Sequence, residues 1–166
     1  DAEGRYIECE FDDFSLASVY FPSGSSGDQR QELKYRFLDT FKDKIKEQNL
    51  NNKGYLFCGD VNIVHQEIDI TNWKANQKNS GCLPQERAWL DMVFNELNCV
   101  DVFRQINQEK QQYTWWSNRG NAWANNVGWR IDYQICNSNF KRQALKTSIY
   151  KDERFSDHAP LIMTYD

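Results

Sequence analysis

Three short segments of this sequence hold acid, amide and imidazole side chains where a strand would deliver them to a common point. Gly59-Asp60-Val61-Asn62 follows the apolar run Tyr55-Leu56-Phe57-Cys58, so Asp60 leaves a buried strand at its end. Alternate spacing puts Asp60 and Asn62 on the same side, and Gly59 permits close backbone approach. Trp129-Arg130-Ile131-Asp132-Tyr133 sets a carboxylate inside an otherwise apolar strand, where it needs a partner. Ser156-Asp157-His158-Ala159-Pro160 directly precedes the last strand. Only 2 His occur in the chain. A strand carboxylate such as Asp132 is the kind of partner that fixes an imidazole tautomer and stabilises its charged form. Asp157 is then free to take a hard cation through oxygen, as magnesium prefers. Each segment alone has a plainer reading: a Gly-Asp after a strand is commonly a turn, and a loop His beside an Asp can simply be solvated.

The elements that must position these groups follow from periodicity. Arg5 to Phe11 and Phe14 to Tyr20 read as a hairpin, the second strand covered on both faces. Pro22 to Gly27 reads as a loop. Asp28 is placed to cap a helix reaching about Gln48, with Leu33, Phe37, Phe41 and Ile45 as its apolar stripe and a solvated charged face opposite. Asn51 to Gly54 ends that helix, and Tyr55 to Gly59 is a buried strand. Pro84 opens a helix to about Leu97 with Trp89, Val93 and Leu97 on one side. Four strands then follow, at Tyr113 to Trp116, Trp129 to Cys136, Ala144 to Tyr150 and Pro160 to Tyr165. The pattern predicts one α/β domain over residues 1–166 with mixed strand order.

The chain of 166 residues carries 40% hydrophobic and 27% charged side chains, enough for a core and far from a disordered composition. A net charge of -4 excludes a protein that grips nucleic acid through a general basic field. Any DNA contact must be local; a cluster of carboxylates can still face a phosphate backbone if a divalent cation sits between them, an arrangement the acidic balance permits without predicting. The 5 cysteines, Cys9, Cys58, Cys82, Cys99 and Cys136, form no CxxC pair, which disfavours a disulfide framework or zinc site and suits a reducing compartment. No apolar run is long enough to span a membrane, and a cytoplasmic location is expected.

Taken together and in order, the segments resemble one family. Gly59-Asp60-Val61-Asn62, His65, Asn72 through Asn76, Asn79, Pro84-Gln85-Glu86-Arg87, Asn126-Val127-Gly128-Trp129-Arg130-Ile131-Asp132-Tyr133 and Ser156-Asp157-His158 are similar to the exonuclease III and abasic-site endonuclease family of the endonuclease/exonuclease/phosphatase superfamily. The resemblance runs from about residue 5 to the C-terminus. It implies part of the four-layered α/β sandwich of the DNase I-like nucleases, with mixed sheets and flanking helices. It also implies hydrolysis of DNA phosphodiesters at abasic sites, with 3′ end-cleaning or 3′ to 5′ exonuclease activity. The cofactor would be magnesium, with manganese as the alternative, and the partner double-stranded DNA with abasic sites or 3′ ends, not a membrane.

Position by position, the resemblance implies that Asp60 activates the attacking water and Asn62 orients it. Tyr20 contacts the phosphate. His158, oriented by Asp132, stabilises the transition state, and Asp157 is a metal carboxylate. Asn76 and Asn79 contact the DNA backbone, while Trp115, Trp129 and Ile131 line a pocket for a flipped sugar without a base. The same positions allow plain packing for both tryptophans. His65 is left out of this set as structural, held by a neighbour such as Asp69. Two alternatives stand beside this reading: a related phosphodiesterase or phosphatase, and an inactive DNA-binding or assembly fragment. The family pattern begins with a strand bearing an Asn and then a metal-ligating Glu, both before the position of Asp1. The expectation is therefore a chain lacking its N-terminal part, with weak metal binding and association through the surface that part would cover.

Overall fold

The computed structural model describes residues 3–166, so Asp1, on which the expected entry in mid-fold rests, lies outside the described residues. In chain order the elements are β1 (Tyr6–Glu10), β2 (Phe14–Tyr20), α1 (Asp28–Leu50), β3 (Gly54–Asp60), a 3-10 turn (Glu67–Asp69), α2 (Trp73–Asn76), α3 (Pro84–Asn95) and β4 (Val100–Asp101). They continue with α4 (Val102–Ile106), β5 (Trp115–Trp116), β6 (Gly128–Trp129), β7 (Asp132–Cys136), β8 (Ala144–Ile149) and β9 (Leu161–Tyr165). Strands β1-β2-β3-β7-β4 form a mixed sheet in that order, parallel only between β2 and β3. β5 pairs with β6, and β8 with β9, in two further small sheets.

One face of the central sheet presents Ala17, Val19, Tyr55, Phe57, Tyr133 and Ile135 to Leu38, Phe41 and Ile45 of α1 and to Trp89, Leu90 and Val93 of α3. The Trp89 indole also donates to the Leu38 carbonyl at 3.0 Å, so the polar edge of this large ring is satisfied inside the core. On the other face Leu56 and Cys136 pack with Val102 of α4 and with Ala144, Met163 and Tyr165 of β8 and β9. Helices, sheet and a second, smaller sheet thus form successive layers, the mixed α/β architecture expected from the sequence. No helix among the described residues is long and apolar enough to cross a membrane, and all five cysteines are free thiols. β1 is an edge strand that exposes Ile7 and, just beyond it, Phe11.

Four expectations are corrected. Gly27, not Asp28, caps α1: its φ of 107° suits glycine, and Asp28 becomes the first helical residue, where its charge complements the helix dipole. The inward stripe of α1 is Lys34, Leu38, Phe41, Ile45 and Gln48 rather than one beginning at Leu33, because two polar members of it find buried or partly buried partners in Glu86 and Glu8. β2 is fully covered on one face only; Ser18 and Tyr20 open onto clefts on the other. The run from Trp129 to Cys136 is two strands in different sheets, broken where Arg130 turns inward to the carboxylates of Asp69 and Asp101.

Candidate active site

Strand register brings three of the predicted groups into one row. Tyr20 of β2 lies opposite Asp60 of β3, and Asp60 lies opposite Asp132 of β7. All three stand at strand ends, where the chain departs and side chains are free to turn toward a cleft. The close approach this needs is visible at Gly59: with φ of 140°, a Cβ there would sit 1.9 Å from the Val19 carbonyl oxygen. Asn62 reaches the same point by a turn rather than by strand alternation, since β3 ends at Asp60 and Asn62 adopts a left-handed φ of 56°. Its backbone N–H donates to Asp60 Oδ1 at 2.7 Å and its amide Nδ2 to Asp60 Oδ2 at 2.9 Å.

Asp157 and His158 arrive from the loop between β8 and β9. That loop is strapped to the β5 segment by Trp116 N–H to the Asp157 carbonyl at 2.9 Å and Ala159 N–H to the Thr114 carbonyl at 2.8 Å. His158 Nδ1 donates to Asp132 Oδ2 at 2.9 Å, because a carboxylate can only accept, and Nε2 then faces Asp60 Oδ2 at 4.0 Å. The Thr114 hydroxyl accepts from the N–H groups of both Ile131 and Asp132 at 3.2 Å, fixing the backbone that carries Asp132.

The electrostatics follow from this packing. Burial and then the nearby Asp132 charge push the Asp60 carboxyl up to about 7, against the opposing pull of His158, the Asn62 N–H and Lys34. Burial alone would lower the His158 value, but the hydrogen bond and charge of Asp132, joined by Asp60 and Asp157, raise it above that of a free imidazole. Asp60 is thus a group poised to exchange a proton near neutrality, and His158 a group biased toward the cation.

The cleft holding these groups has a volume of about 370 Å³ and is bounded by Tyr20, Asn79, Trp115, Trp129, Ile131 and Asp157 among others. Trp115 and Trp129 meet edge to face at a centroid distance of 5.8 Å. The Trp115 indole N–H is committed to Asp157 Oδ2 at 2.9 Å, and both rings pack against the cluster of buried side chains that includes Ile131. Asn76 does not reach this cleft. It lines a larger groove of about 950 Å³ beside Trp73, and its amide donates to the Thr71 and Asn72 carbonyls while its oxygen accepts from Asn79. His65 pairs with Asp91 at 2.8 Å, not with Asp69, whose carboxylate is taken by Arg130 and Arg104.

Among the described residues no group of three or more His, Cys, Asp or Glu side chains is arranged to hold a metal ion. Asp157 by itself, with one oxygen already accepting from an indole, does not make a divalent-cation site. Sequence reading missed Thr114, Arg130 and the buried pair Lys34 and Glu86. Arg130 and Glu86 left a trace only as members of the quoted segments from Trp129 to Tyr133 and from Pro84 to Arg87, with no role attached.

Residues 4–158 match the endonuclease/exonuclease/phosphatase family. An exodeoxyribonuclease of Bacillus subtilis is 38% identical over 97% of this chain and 64% of its own length. The DNA repair nuclease APEX1 of Danio rerio is 35% identical over 98% of this chain and 52% of its own length. Among solved structures, the AP endonuclease LMAP from Leishmania major superposes with a TM-score of 0.84 at 27% identity, covering 98% of this chain and 55% of that one. The 3′ phosphatase NExo from Neisseria, bound to a product DNA hairpin, reaches a TM-score of 0.89 at 21% identity, covering 98% of this chain and 65% of that one, which shows the shared fold. This chain spans between about half and two thirds of the length of these relatives.

Proposed function

This chain belongs to the endonuclease/exonuclease/phosphatase family, and on that premise we propose that it carries the phosphodiester-cleaving site of a DNA repair nuclease. The substrate we propose is duplex DNA at an abasic site, cut by water on the 5′ side of the lesion, with 3′ end-cleaning or 3′ to 5′ exonuclease action as related outcomes. The observation that carries the reading is the Asp132–His158–Asp60 row at one end of a cleft walled by Trp115, Trp129 and Ile131.

Asp60 in its carboxylate form accepts a proton from water while that oxygen bonds to phosphorus; Asn62 holds the carboxylate in place through two hydrogen bonds. The bond from phosphorus to the 3′ oxygen of the neighbouring nucleotide breaks, that oxygen leaving with the bonding pair and taking a proton from solvent, and negative charge gathers on the phosphoryl oxygens. His158, biased toward the cation by Asp132, offers Nε2–H to that charge. Tyr20 and Asn79, both on the cleft, supply further donors to the phosphate. The aromatic wall suits a sugar without a base, because an attached base would collide with it, and such a sugar must first be extruded from the duplex.

Magnesium, or manganese in its place, is the cofactor we propose from the sequence resemblance. It would need carboxylates in addition to Asp157, and its contribution when bound would be to offset phosphate charge. The test is cleavage of a duplex with one abasic site against the same duplex intact, with Asp60→Asn as the control. Equal cleavage of both duplexes would remove the abasic-site assignment.

A further inference from the structure

The helix α1 looks from its sequence like an amphipathic rod with all its charges in solvent, yet Lys34 is fully buried. Its ammonium lies 2.5 Å from Glu86 Oε1 and donates to the backbone carbonyl of Asn62 at 2.8 Å. Glu86, equally buried, accepts from the N–H groups of Gly81 at 2.6 Å and Leu83 at 3.0 Å and from Gln31 Nε2 at 3.1 Å. One ion pair therefore ties four segments together: α1, the Asn62 turn, the loop from Asn79 to Leu83 at the cleft rim, and the first turn of α3.

Stability does not require charge at this place. Desolvating two ions typically cancels their attraction, and apolar residues of similar volume serve as well or better. What a buried ammonium adds is direction: it fixes the carbonyl of a residue that turns the chain in the left-handed conformation, which asparagine adopts more readily than most residues other than glycine. The same residue directs its backbone N–H and one side-chain N–H at Asp60, while the other side-chain N–H donates to the Phe21 carbonyl at 2.9 Å.

We propose that Lys34, anchored by Glu86, is a positioning residue of this active site: its buried ammonium holds the Asn62 carbonyl so that the Asn62 backbone and side-chain amides stay directed at the Asp60 carboxylate. The proposal rests on the nuclease reading for its kinetic consequence, but its structural consequence stands apart from it. Removing Lys34 alone strands a buried carboxylate and endangers folding, so the variant to make is Lys34→Met with Glu86→Gln, which removes both charges and keeps an acceptor for Gly81 and Leu83.

Two measurements on wild type and double variant at equal folded fraction decide the matter. In steady-state cleavage of an abasic duplex, kcat falls at least about tenfold while KM stays within about twofold, because the lost contact acts on the reacting groups rather than on DNA affinity. By nuclear magnetic resonance, hydrogen exchange of the Asn62 amide quickens at least about tenfold relative to the Phe57 amide in β3. Unchanged exchange at Asn62, or a change in KM with kcat intact, overturns the role of Lys34. If wild type itself cleaves nothing, the nuclease reading fails separately, and the exchange measurement alone decides Lys34.

Discussion

His158 and Asp132 form a hydrogen bond of 2.9 Å between imidazole Nδ1 and carboxylate Oδ2, joining a loop after β8 to the first residue of β7. The bond settles the tautomer and turns Nε2 toward Asp60 and the cleft. It also makes the charge state of His158 depend on Asp132, since burial alone acts in the opposite direction.

The first consequence is spectroscopic. In Asp132→Asn the His158 pKa should fall below its wild-type value, because the hydrogen bond to a charge and the charge itself are both lost. With only 2 His in the chain, proton resonance titration of the ring hydrogens resolves His158. A His158 titration identical in both proteins would remove Asp132 as its partner.

Asp60 should titrate near 7 in the metal-free chain, raised first by burial and then by Asp132. Because its folded value lies above the ordinary 3.8, the folded state binds the extra proton between those limits. Its contribution to stability is therefore present at low pH and declines as pH rises through about 7, while its capacity to accept a proton from water grows over the same interval. Carbon-detected carboxyl titration checks the value, and a midpoint near 4 would contradict the account of the site's electrostatics.

Asp69 has the opposite sign. Burial raises its pKa, but Arg130 and Arg104 more than compensate and hold it below the ordinary carboxylate value. The stability it supplies is present above that value and lost as pH falls through the folded one. Asp69→Asn should cost about 3–5 kcal/mol at neutral pH, since it leaves the buried Arg130 short of a partner. Urea unfolding measures this, and a loss under about 1 kcal/mol would show that Asp101 alone suffices for Arg130.

In the same cleft, His158→Ala and Asp60→Asn should each lower cleavage about 10²–10³-fold or more, with little change in melting temperature. Each group acts on the reacting phosphate and neither fills the core. Near-normal rates in either variant at equal folded fraction would take that residue out of the site.

Legibility in the sequence divided along physical lines. Apolar periodicity exposed β3, α3 and the hairpin of β1 and β2, because hydrophobic burial repeats along the chain and is local. The separate positions of Asp60, Asp132 and His158 were also visible, as polar groups interrupting or ending apolar runs. Their register was not: that Tyr20, Asp60 and Asp132 fall in one row depends on how β2, β3 and β7 pair, a relation between segments far apart in sequence. The same holds for Lys34. A lysine within a charged helix gives no local sign that a glutamate 52 positions away will draw it into the interior. His65 misled for a related reason, since its partner Asp91 comes from α3 while the nearer Asp69 belongs to two arginines.

The most direct test of the central claim is a denaturing gel of a fluorescein-labelled duplex bearing one abasic site, incubated in magnesium buffer. It is run with this chain beside its His158→Ala variant. The account predicts a single incision on the 5′ side of the abasic site, with far less product from the His158→Ala protein. Incision that His158→Ala leaves unchanged, or none at the abasic site, would contradict it.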